Sequence, residues 1–281
     1  MVTDSSARRS AQVPAVALLP YLIIAFGLPW SLLLLYVALP DQLTARLGEI
    51  SASHPAFILA VWSPAIAAFA LVLYYGGAPG LRSFLSRLLL WRCPVAWYVY
   101  LFVGFPLVFV AGSAIKGNLF SEPVPFDGLL SLLAAMGFML VLGPMEEFGW
   151  RGVALPLLQR WLAPFAAGLV LGMIWGLWHL PAFLLSGTPQ SSWEFMPFFV
   201  GSVCLSVILT PLFNASCGSI LVAVVYHFQA NNPLWPDAQP YDSYLLVAVA
   251  VIVVWLNRRT VFSREGAVTA VIPVTAGGAG R

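Results

Sequence analysis

The stretch LLSLLAAMGFMLVLGPMEEFGWRG, Leu129 to Gly152, joins a long apolar run to two adjacent glutamates and an arginine. Hydropathy alone would end a membrane span at Leu142 and leave the charges in a loop. A membrane helix can continue past Gly143 and Pro144 through a kink when neighbouring groups satisfy the freed carbonyl. The stretch therefore predicts one helix that carries ionisable side chains into the membrane, with the segment from Arg151 to Arg160 projecting toward the cytosol.

Composition places the whole chain in a membrane, because 60% of its 281 residues are hydrophobic and only 9% are charged. A helical crossing needs about 20 apolar residues. The apolar stretches predict an all-α polytopic membrane bundle of about eight transmembrane helices. The net charge of +2 gives no reason to expect a nucleic-acid partner. The stretches are Val13 to Leu39, Pro55 to Tyr75, Pro94 to Ile115, Gly128 past Leu142, Pro164 to Leu185, Phe195 to Phe213, Ser219 to Ala230 and Ser243 to Leu256.

Charge placement predicts the orientation of these spans, because cytoplasmic loops carry an excess of lysine and arginine. If the spans alternate, most arginines fall on one side, against Arg46 and Lys116 on the other. Both termini are therefore predicted to be cytoplasmic, in the plasma membrane if the source is prokaryotic. The first span is too long for a secretory signal, so it is predicted to remain as a helix. The arginines on the cytoplasmic side are Arg8, Arg9, Arg82, Arg87, Arg92, Arg160, Arg258, Arg259 and Arg264.

The predicted domain organisation is a single membrane-embedded helical domain, residues 13–257, between two cytoplasmic tails, 1–12 and 258–281. We find no soluble domain and no internal repeat within it. The last stretch, from Gly266 to Arg281, is rich in small residues and is predicted to be a loose, disordered tail.

Spacing separates the two glutamates of the quoted stretch into different roles. Glu147 and Arg151 are four residues apart on one helix face, which predicts a salt bridge across one turn. Glu146 lies about 100° around the helix axis from Glu147, so it stays free to meet groups on other helices. The alternative is that both acids merely line a solvated helix end.

His179 is predicted to meet Glu146 across a helical hairpin whose turn falls in RWLAP, Arg160 to Pro164. Both residues lie about 25 Å from Leu162 along their helices, so antiparallel neighbours would present them at one height. A glycine at every fourth position in GLVLGMIWG, just before His179, predicts close approach of another helix. The alternative is a histidine that is only hydrogen-bonded within that interface.

A third span contributes His227 and Asn231, which are four residues apart on one helix face in GSILVAVVYHFQANN. Both side chains can donate hydrogen bonds. His227 lies roughly 15 Å along its helix from the preceding turn, at a depth that the other polar groups can reach. Three helices therefore direct polar groups toward one buried region.

This set of side chains predicts hydrolysis by an activated water, because no serine or cysteine is obviously joined to a base. A carboxylate kept away from water and from cations is a strong proton acceptor, which suits Glu146 as a general base. His179 would orient the same water or share its proton. His227 and Asn231 would stabilise the oxyanion of a tetrahedral intermediate of amide hydrolysis.

Three ordered motifs carry a family resemblance: EEFGWR fits E-E-x-x-x-R, WGLWH fits aromatic-x-x-x-H, and HFQAN fits H-x-x-x-N. In this order on separate spans, they resemble the CPBP family, also called Abi, of intramembrane proteases related to the type II CAAX prenyl endopeptidases. The resemblance covers roughly Gly128 to Asn232, which is the predicted catalytic core. It implies an eight-helix fold with an intramembrane cavity.

The resemblance also implies roles for individual residues. Glu146 and His179 would activate water, while Glu147 and Arg151 would form a supporting pair. Trp175 stands where the family usually has phenylalanine and would form a wall of the pocket. The predicted site residues are Glu146, Glu147, Arg151, Trp175, His179, His227 and Asn231.

The sequence leaves both the metal and the substrate open. Glu146, His179 and His227 form a two-histidine, one-carboxylate set that resembles catalytic zinc sites, and the family is often labelled metalloprotease on that ground. No HExxH motif is present, so the alternatives are one divalent ion such as zinc, or none. The resemblance implies a membrane-anchored protein or peptide as substrate, which in eukaryotic relatives is a prenylated CAAX terminus.

The predicted function is that of an intramembrane endopeptidase. A catalytically silent bacteriocin-immunity or scaffold protein of the same fold is the first alternative, although the intact motifs favour the enzyme. An ion-coupled transporter is the second alternative, and an inverted repeat or paired broken helices would favour it. Neither feature is evident in the sequence.

Overall fold

The computed structural model describes residues 13–121 and 126–273, and every regular element in these two ranges is helical. Six helical segments are long and apolar enough to cross a membrane, and two further apolar helices are shorter. The predicted all-α polytopic membrane bundle is therefore confirmed. The eight segments are Ala15–Ala38, Ser63–Leu89, Val95–Lys116, Leu129–Leu158, Pro164–Leu184, Phe195–Ala215, Ile220–Ala230 and Tyr241–Leu256.

Single turns of 3₁₀ or π geometry interrupt several of these segments, so the chain divides into more α-helices than spans. The α-helices are α1 Leu18–Ala38, α2 Pro40–Leu47, α3 Pro55–Val61, α4 Ser63–Leu85, α5 Val95–Val99, α6 Phe105–Lys116, α7 Leu129–Leu142, α8 Glu147–Gly149, α9 Leu155–Leu158, α10 Pro164–Trp178, α11 Phe195–Ala215, α12 Ile220–Ala230, α13 Tyr241–Leu256 and α14 Arg258–Val261. The helix α11 packs between α10 and α13, and α1 packs along α4.

The outward side chains of the bundle are apolar. Leu19 and Ile23 on α1, and Leu129 and Leu130 on α7, are all exposed. Exposed leucines and isoleucines in such numbers are unfavourable in water but match the hydrocarbon of a bilayer. These faces therefore agree with a chain that is embedded in lipid.

The fourth span changes surroundings along its length. Its first part, α7, faces outward, and only Leu142 at its end is buried. A 3₁₀ turn follows at Gly143–Glu146, where the sequence predicted a kink. Every side chain from Glu146 to Gln159 is buried. The segment after Arg151 is thus enclosed by the bundle, where it packs against α4, α10 and α12. Its direction toward the cytosol stays a prediction.

The glycines of α10 form the predicted contact with a neighbouring helix, which is α11. A Cβ atom on Gly172 would lie 2.7 Å from the Cα atom of Val203, and one on Gly176 would lie 2.7 Å from the ring of Phe199. Any side chain at these positions would force the two helices apart. The glycines therefore set the position of His179, which follows directly after α10.

The segment from Gly266 to Pro273 differs from the predicted loose tail. Val271 and Ile272 are buried in the hydrophobic core. The backbone carbonyl of Val268 accepts a hydrogen bond from Gln159 at 2.8 Å, and that of Pro273 accepts one from Ser83 at 2.5 Å. Apolar side chains within the small-residue stretch explain this packing. The N-terminal tail with Arg8 and Arg9, and residues 122–125 and 274–281, lie outside the described residues.

Arg87 is buried, although the sequence grouped it with the arginines of the cytoplasmic loops. It is 1% exposed and donates hydrogen bonds to the backbone carbonyls of Gly218, Gly152 and Val271, at 2.7, 2.9 and 3.2 Å. The planar guanidinium has several donors in a fixed geometry and can hold several carbonyls at once. Arg87 thereby joins the fourth span, the turn before α12 and the C-terminal segment.

Candidate intramembrane active site

The predicted site residues surround one cavity inside the bundle. Its volume is about 460 Å³, and Glu146, Trp175, His179, His227 and Asn231 all line it. They come from the fourth span, the end of α10 and the end of α12, which the sequence placed far apart along the chain. The bundle thus brings together a carboxylate, two imidazoles and an amide, as the hairpin argument predicted.

Glu146 is held by two tryptophans and by no cation. It is 3% exposed, and its Oε2 atom accepts hydrogen bonds from Trp175 Nε1 at 2.7 Å and Trp150 Nε1 at 3.1 Å. Within residues 13–121 and 126–273, no donor contacts the other oxygen, Oε1. Glu146 therefore presents one occupied oxygen and one oxygen that a water or substrate in the cavity can reach.

His179 is oriented by the backbone one turn before it. Its Nδ1 atom lies 2.8 Å from the carbonyl oxygen of Trp175. A carbonyl can only accept, so Nδ1 carries the proton and Nε2 of the neutral ring holds a free lone pair. The ring also packs edge-on against Phe198 of α11, with centroids 4.9 Å apart. No hydrogen bond in the described part of the chain joins His179 directly to Glu146, and Trp175 contacts both.

Glu147 forms the predicted pair with Arg151, and a second pair that the sequence did not predict. Its Oε1 atom accepts from Arg151 Nη1 at 2.8 Å and from His227 Nδ1 at 2.6 Å. A carboxylate oxygen requires a proton on Nδ1 of His227, so Nε2 is the atom that His227 can present to the cavity. Glu147 thus joins Arg151 and His227 in a triad, and its carboxylate orients the ring of His227.

Asn231 and His227 approach the fourth span at its break. A Cβ atom on Gly143 would lie 3.0 Å from His227 Nε2 and would collide with the amide nitrogen of Asn231. Only glycine leaves room for both side chains at this point. Gly143 therefore leaves space for His227 and Asn231 at the same point where the helix bends.

The sequence missed two contributions to the site, Trp150 and the pairing of His227 with Glu147. Trp150 lies four residues after Glu146, and Trp175 lies four residues before His179. Residues four apart on a helix share one face, so this spacing could have indicated that Trp150 lies beside Glu146 and that Trp175 lies beside His179. The pairing of His227 with Glu147 joins residues 80 positions apart and has no local signal.

The candidate metal ligands Glu146, His179 and His227 line the same cavity. Among the residues that the structure describes, no three His, Cys, Asp or Glu side chains are grouped so that they could hold a metal ion. Glu146, His179 and His227 have suitable donor types, and the hydrogen bonds at both Nδ1 atoms leave the Nε2 atoms as the ones that could bind a metal. One divalent ion such as zinc, or none, therefore stay the two alternatives for this site.

The cavity wall is apolar in one part and polar in another. The apolar lining residues Leu33, Phe57, Ala60, Val61, Leu142 and Ala182 belong to one hydrophobic cluster. The polar lining residues include Asn232, Gln239, Asp242 and Ser243 near the start of α13. Such a wall suits an amphipathic molecule better than a wholly polar one.

Fold and cavity define an integral membrane protein with ionisable side chains buried inside its helical bundle. Residues 128–232 match the family model described as "Type II CAAX prenyl endopeptidase Rce1-like". A curated relative named "CAAX prenyl protease 2", from Methanococcus maripaludis, is 26% identical over 185 residues, which are 57% of this chain and 68% of the relative. The resemblance to the CPBP family, in its Rce1-like form, is thereby confirmed. These matches support a function of the intramembrane CAAX-protease kind.

Proposed function

We propose that this protein is an intramembrane endopeptidase that hydrolyses a peptide bond in a membrane-anchored substrate, with water activated by Glu146 and His179. The observation that carries the proposal is the shared cavity, in which an oxygen of the cation-free Glu146 and the two site histidines meet. The polar groups lie inside an apolar bundle, where such residues are costly and are usually kept for function.

In the first step, Glu146 and His179 both contact the attacking water. One proton of the water goes to the open oxygen of Glu146, while the other is hydrogen-bonded to the free Nε2 lone pair of His179. The remaining lone pair of the water oxygen attacks the carbonyl carbon of the scissile bond. Fixed acceptors on two sides lower the cost of orienting the water.

The second step needs donors for the oxyanion that forms on the carbonyl oxygen. The amide N–H of Asn231 donates in any protonation state. His227 donates through Nε2 when its ring carries a proton on both nitrogens, with Nδ1 bonded to the carboxylate of Glu147. These two donors lie together beside Gly143.

The third step breaks the carbon–nitrogen bond of the tetrahedral intermediate. The protonated Glu146 returns its proton to the leaving amine, and the oxyanion collapses to a carboxyl group. The products are a shortened chain with a new carboxyl terminus and a released peptide with a new amino terminus. The base is restored for the next turnover without any covalent intermediate.

The proposed substrate is a lipid-anchored peptide, and a prenylated CAAX terminus is its most specific form. The name of the archaeal relative and the apolar part of the cavity wall support this choice. The bilayer is the second partner, and no nucleic acid is involved. We further propose a plasma-membrane location with both termini cytoplasmic, on the basis of the arginine distribution.

Cleavage of a fluorescent farnesylated CAAX peptide in proteoliposomes tests the proposal. We expect the natural chain to cleave the peptide and Glu146→Gln to abolish cleavage while remaining folded. Glu49→Gln, which alters an exposed acid, is the matched control and should cleave normally. Full activity in the Glu146→Gln protein would refute the assignment. Binding of the peptide without cleavage by the natural chain would favour the catalytically silent alternative.

Comparative proteomics identifies the substrates in the same design. Membrane-protein C-termini are compared between cells that carry the natural chain and cells that carry the Glu146→Gln variant. Termini that are shortened only by the natural chain are its clients. The cleaved bond in each client then shows whether prenylation is required.

A further inference from the structure

Two buried tryptophans converge on a single oxygen of the proposed base. The indole N–H groups of Trp175 and Trp150 donate to Oε2 of Glu146, from 2.7 Å and 3.1 Å. These residues belong to different spans, so two independent helices determine where this carboxylate points. Neither donor carries a charge, and neither can therefore neutralise Glu146 as an arginine would.

We propose that Trp150 and Trp175 are positioning residues that hold Oε2 of Glu146 and thereby aim Oε1 at the water, an inference that rests on the proposed function. A buried carboxylate without a cation needs hydrogen-bond donors to remain in place. Indole side chains have few rotatable bonds, so they restrict the carboxylate more firmly than flexible donors would.

Trp175 has a second role that ties the base to His179. Its backbone carbonyl accepts the Nδ1 proton of His179, while its indole donates to Glu146. One residue thus sets both acceptors between which the water is held. Phenylalanine, which the family resemblance leads one to expect at this position, has no donor to offer.

Trp150 is itself held from two sides. Tyr21 and Trp178 pack edge-on against its ring, with centroids 5.7 and 5.9 Å apart. Trp150 is fully buried and is not among the residues that line the cavity. It has no direct access to a substrate, so it acts on the reaction through the residues that it contacts, and its hydrogen bond goes to Glu146. This separates Trp150 from Trp175, which also forms part of the wall.

Steady-state kinetics with the farnesylated peptide test the inference on the natural chain, Trp175→Phe, Trp150→Phe and the double variant. Phenylalanine keeps an aromatic ring, removes the donor and is smaller than the indole, and the loss of volume is what the Trp97→Phe control reproduces. We expect kcat to fall about tenfold in Trp175→Phe, because a hydrogen bond to a charged group is lost. The fall should be smaller in Trp150→Phe, where the bond is longer. KM should stay unchanged in Trp150→Phe, because Trp150 does not line the cavity.

Trp97→Phe is the control for removing a buried indole, since Trp97 is buried but does not line the cavity. Its kcat should match that of the natural chain. Unchanged kcat in both Trp150→Phe and Trp175→Phe would overturn the inference while the proposed function stands. A higher KM together with a lower melting temperature in Trp150→Phe would also overturn it, because these changes would indicate a merely structural role.

An infrared measurement separates this inference from the proposed function. The carboxyl band of Glu146 is identified as the band lost in Glu146→Gln, and its frequency depends on hydrogen bonds to the carboxyl group. We expect this band to shift in Trp175→Phe and Trp150→Phe but not in Trp97→Phe. A natural chain that fails to cleave any peptide would defeat the proposed function, and the band would still decide whether the indoles hold Glu146.

Discussion

Glu146 and Glu147 are neighbours in sequence with opposite surroundings. Glu147 is fully buried and shares one oxygen between Arg151 and His227. Among the residues that the structure describes, the hydrogen-bond donors to Glu146 are the neutral indoles of two tryptophans. The turn of about 100° between successive helical residues accounts for this difference. One carboxylate thus stabilises the structure of the site, while the other keeps an oxygen available for chemistry.

The buried ion pair leads to a prediction about stability. In Glu147→Gln, the charge of Arg151 loses its only carboxylate within the described residues, and we expect the free energy of unfolding to fall by about 3–5 kcal/mol. Chemical unfolding in detergent micelles measures this change. Asp237→Asn is the control, because the pair of Asp237 with Lys116 is partly exposed, with side chains 41% and 31% accessible. That variant should lose less than about 1 kcal/mol. Equal losses in the two variants would contradict the role assigned to Glu147.

At the scale of elements, the break in the fourth span gives the site its shape. The 3₁₀ turn at Gly143–Glu146 and the π turn at Trp150–Ala154 flank the short helix α8. Proline at 144 lacks a backbone donor, so a regular helix could not continue through it with all its hydrogen bonds. Irregular turns of this kind often occur at functional sites, since they redirect side chains within a helix.

The contact between α10 and α11 leads to a second stability prediction. In Gly172→Ala, the new methyl group would meet the backbone of Val203 at 2.7 Å. We expect the free energy of unfolding to fall by about 1–3 kcal/mol, because two closely packed helix backbones cannot make room for a methyl group without losing contacts. We also expect cleavage to fall, because His179 follows directly after α10. Thermal unfolding and the peptide assay measure the two effects.

Gly137→Ala is the control for this substitution, since no atom lies within 4 Å of a Cβ atom at that helical position. Alanine favours a helix over glycine by up to about 1 kcal/mol. Gly137→Ala should therefore be at least as stable as the natural chain and equally active. Similar destabilisation in both variants would show that close helix contact is not the cause.

At the scale of the whole molecule, Arg87 joins segments that are far apart in sequence. Its three carbonyl partners belong to the fourth span, the turn before α12 and the C-terminal segment. Two of these segments carry site residues, namely Glu146 and His227. The side chain also packs over the ring of Phe213, with its guanidinium carbon 5.2 Å from the ring centroid. The C-terminal segment is thus part of the folded domain.

Removal of this arginine should affect both stability and activity. In Arg87→Met, three buried carbonyls lose their donor, and we expect the free energy of unfolding to fall by about 2–4 kcal/mol. Arg92→Met removes an exposed arginine that contacts only the Trp91 ring, and should change little. Chemical unfolding and peptide cleavage measure both variants. An Arg87→Met protein as stable and active as the natural chain would contradict the joining role.

Much of the fold could be predicted from the sequence, because hydropathy and periodicity are local properties. The apolar stretches correspond in order to the helices, and the kink at Gly143 and Pro144 lies where proline and glycine stand together. The contact between the α10 glycines and a second helix was also predicted, although its partner was not. The buried segment after Gly266 was missed, because its few apolar residues lie within a stretch of small ones.

The sequence by itself determined that the chain is a membrane bundle, which residues could ionise within it, and that Glu147 pairs with Arg151 on one helix face. Each of these follows from composition or from the helical period, which need no knowledge of neighbouring helices. The tertiary structure alone decided that Trp150 and Trp175 share one oxygen of Glu146, and that His227 reaches Glu147 across 80 positions. Those contacts depend on which helix faces meet and how deeply each side chain lies, and packing of the whole bundle sets both.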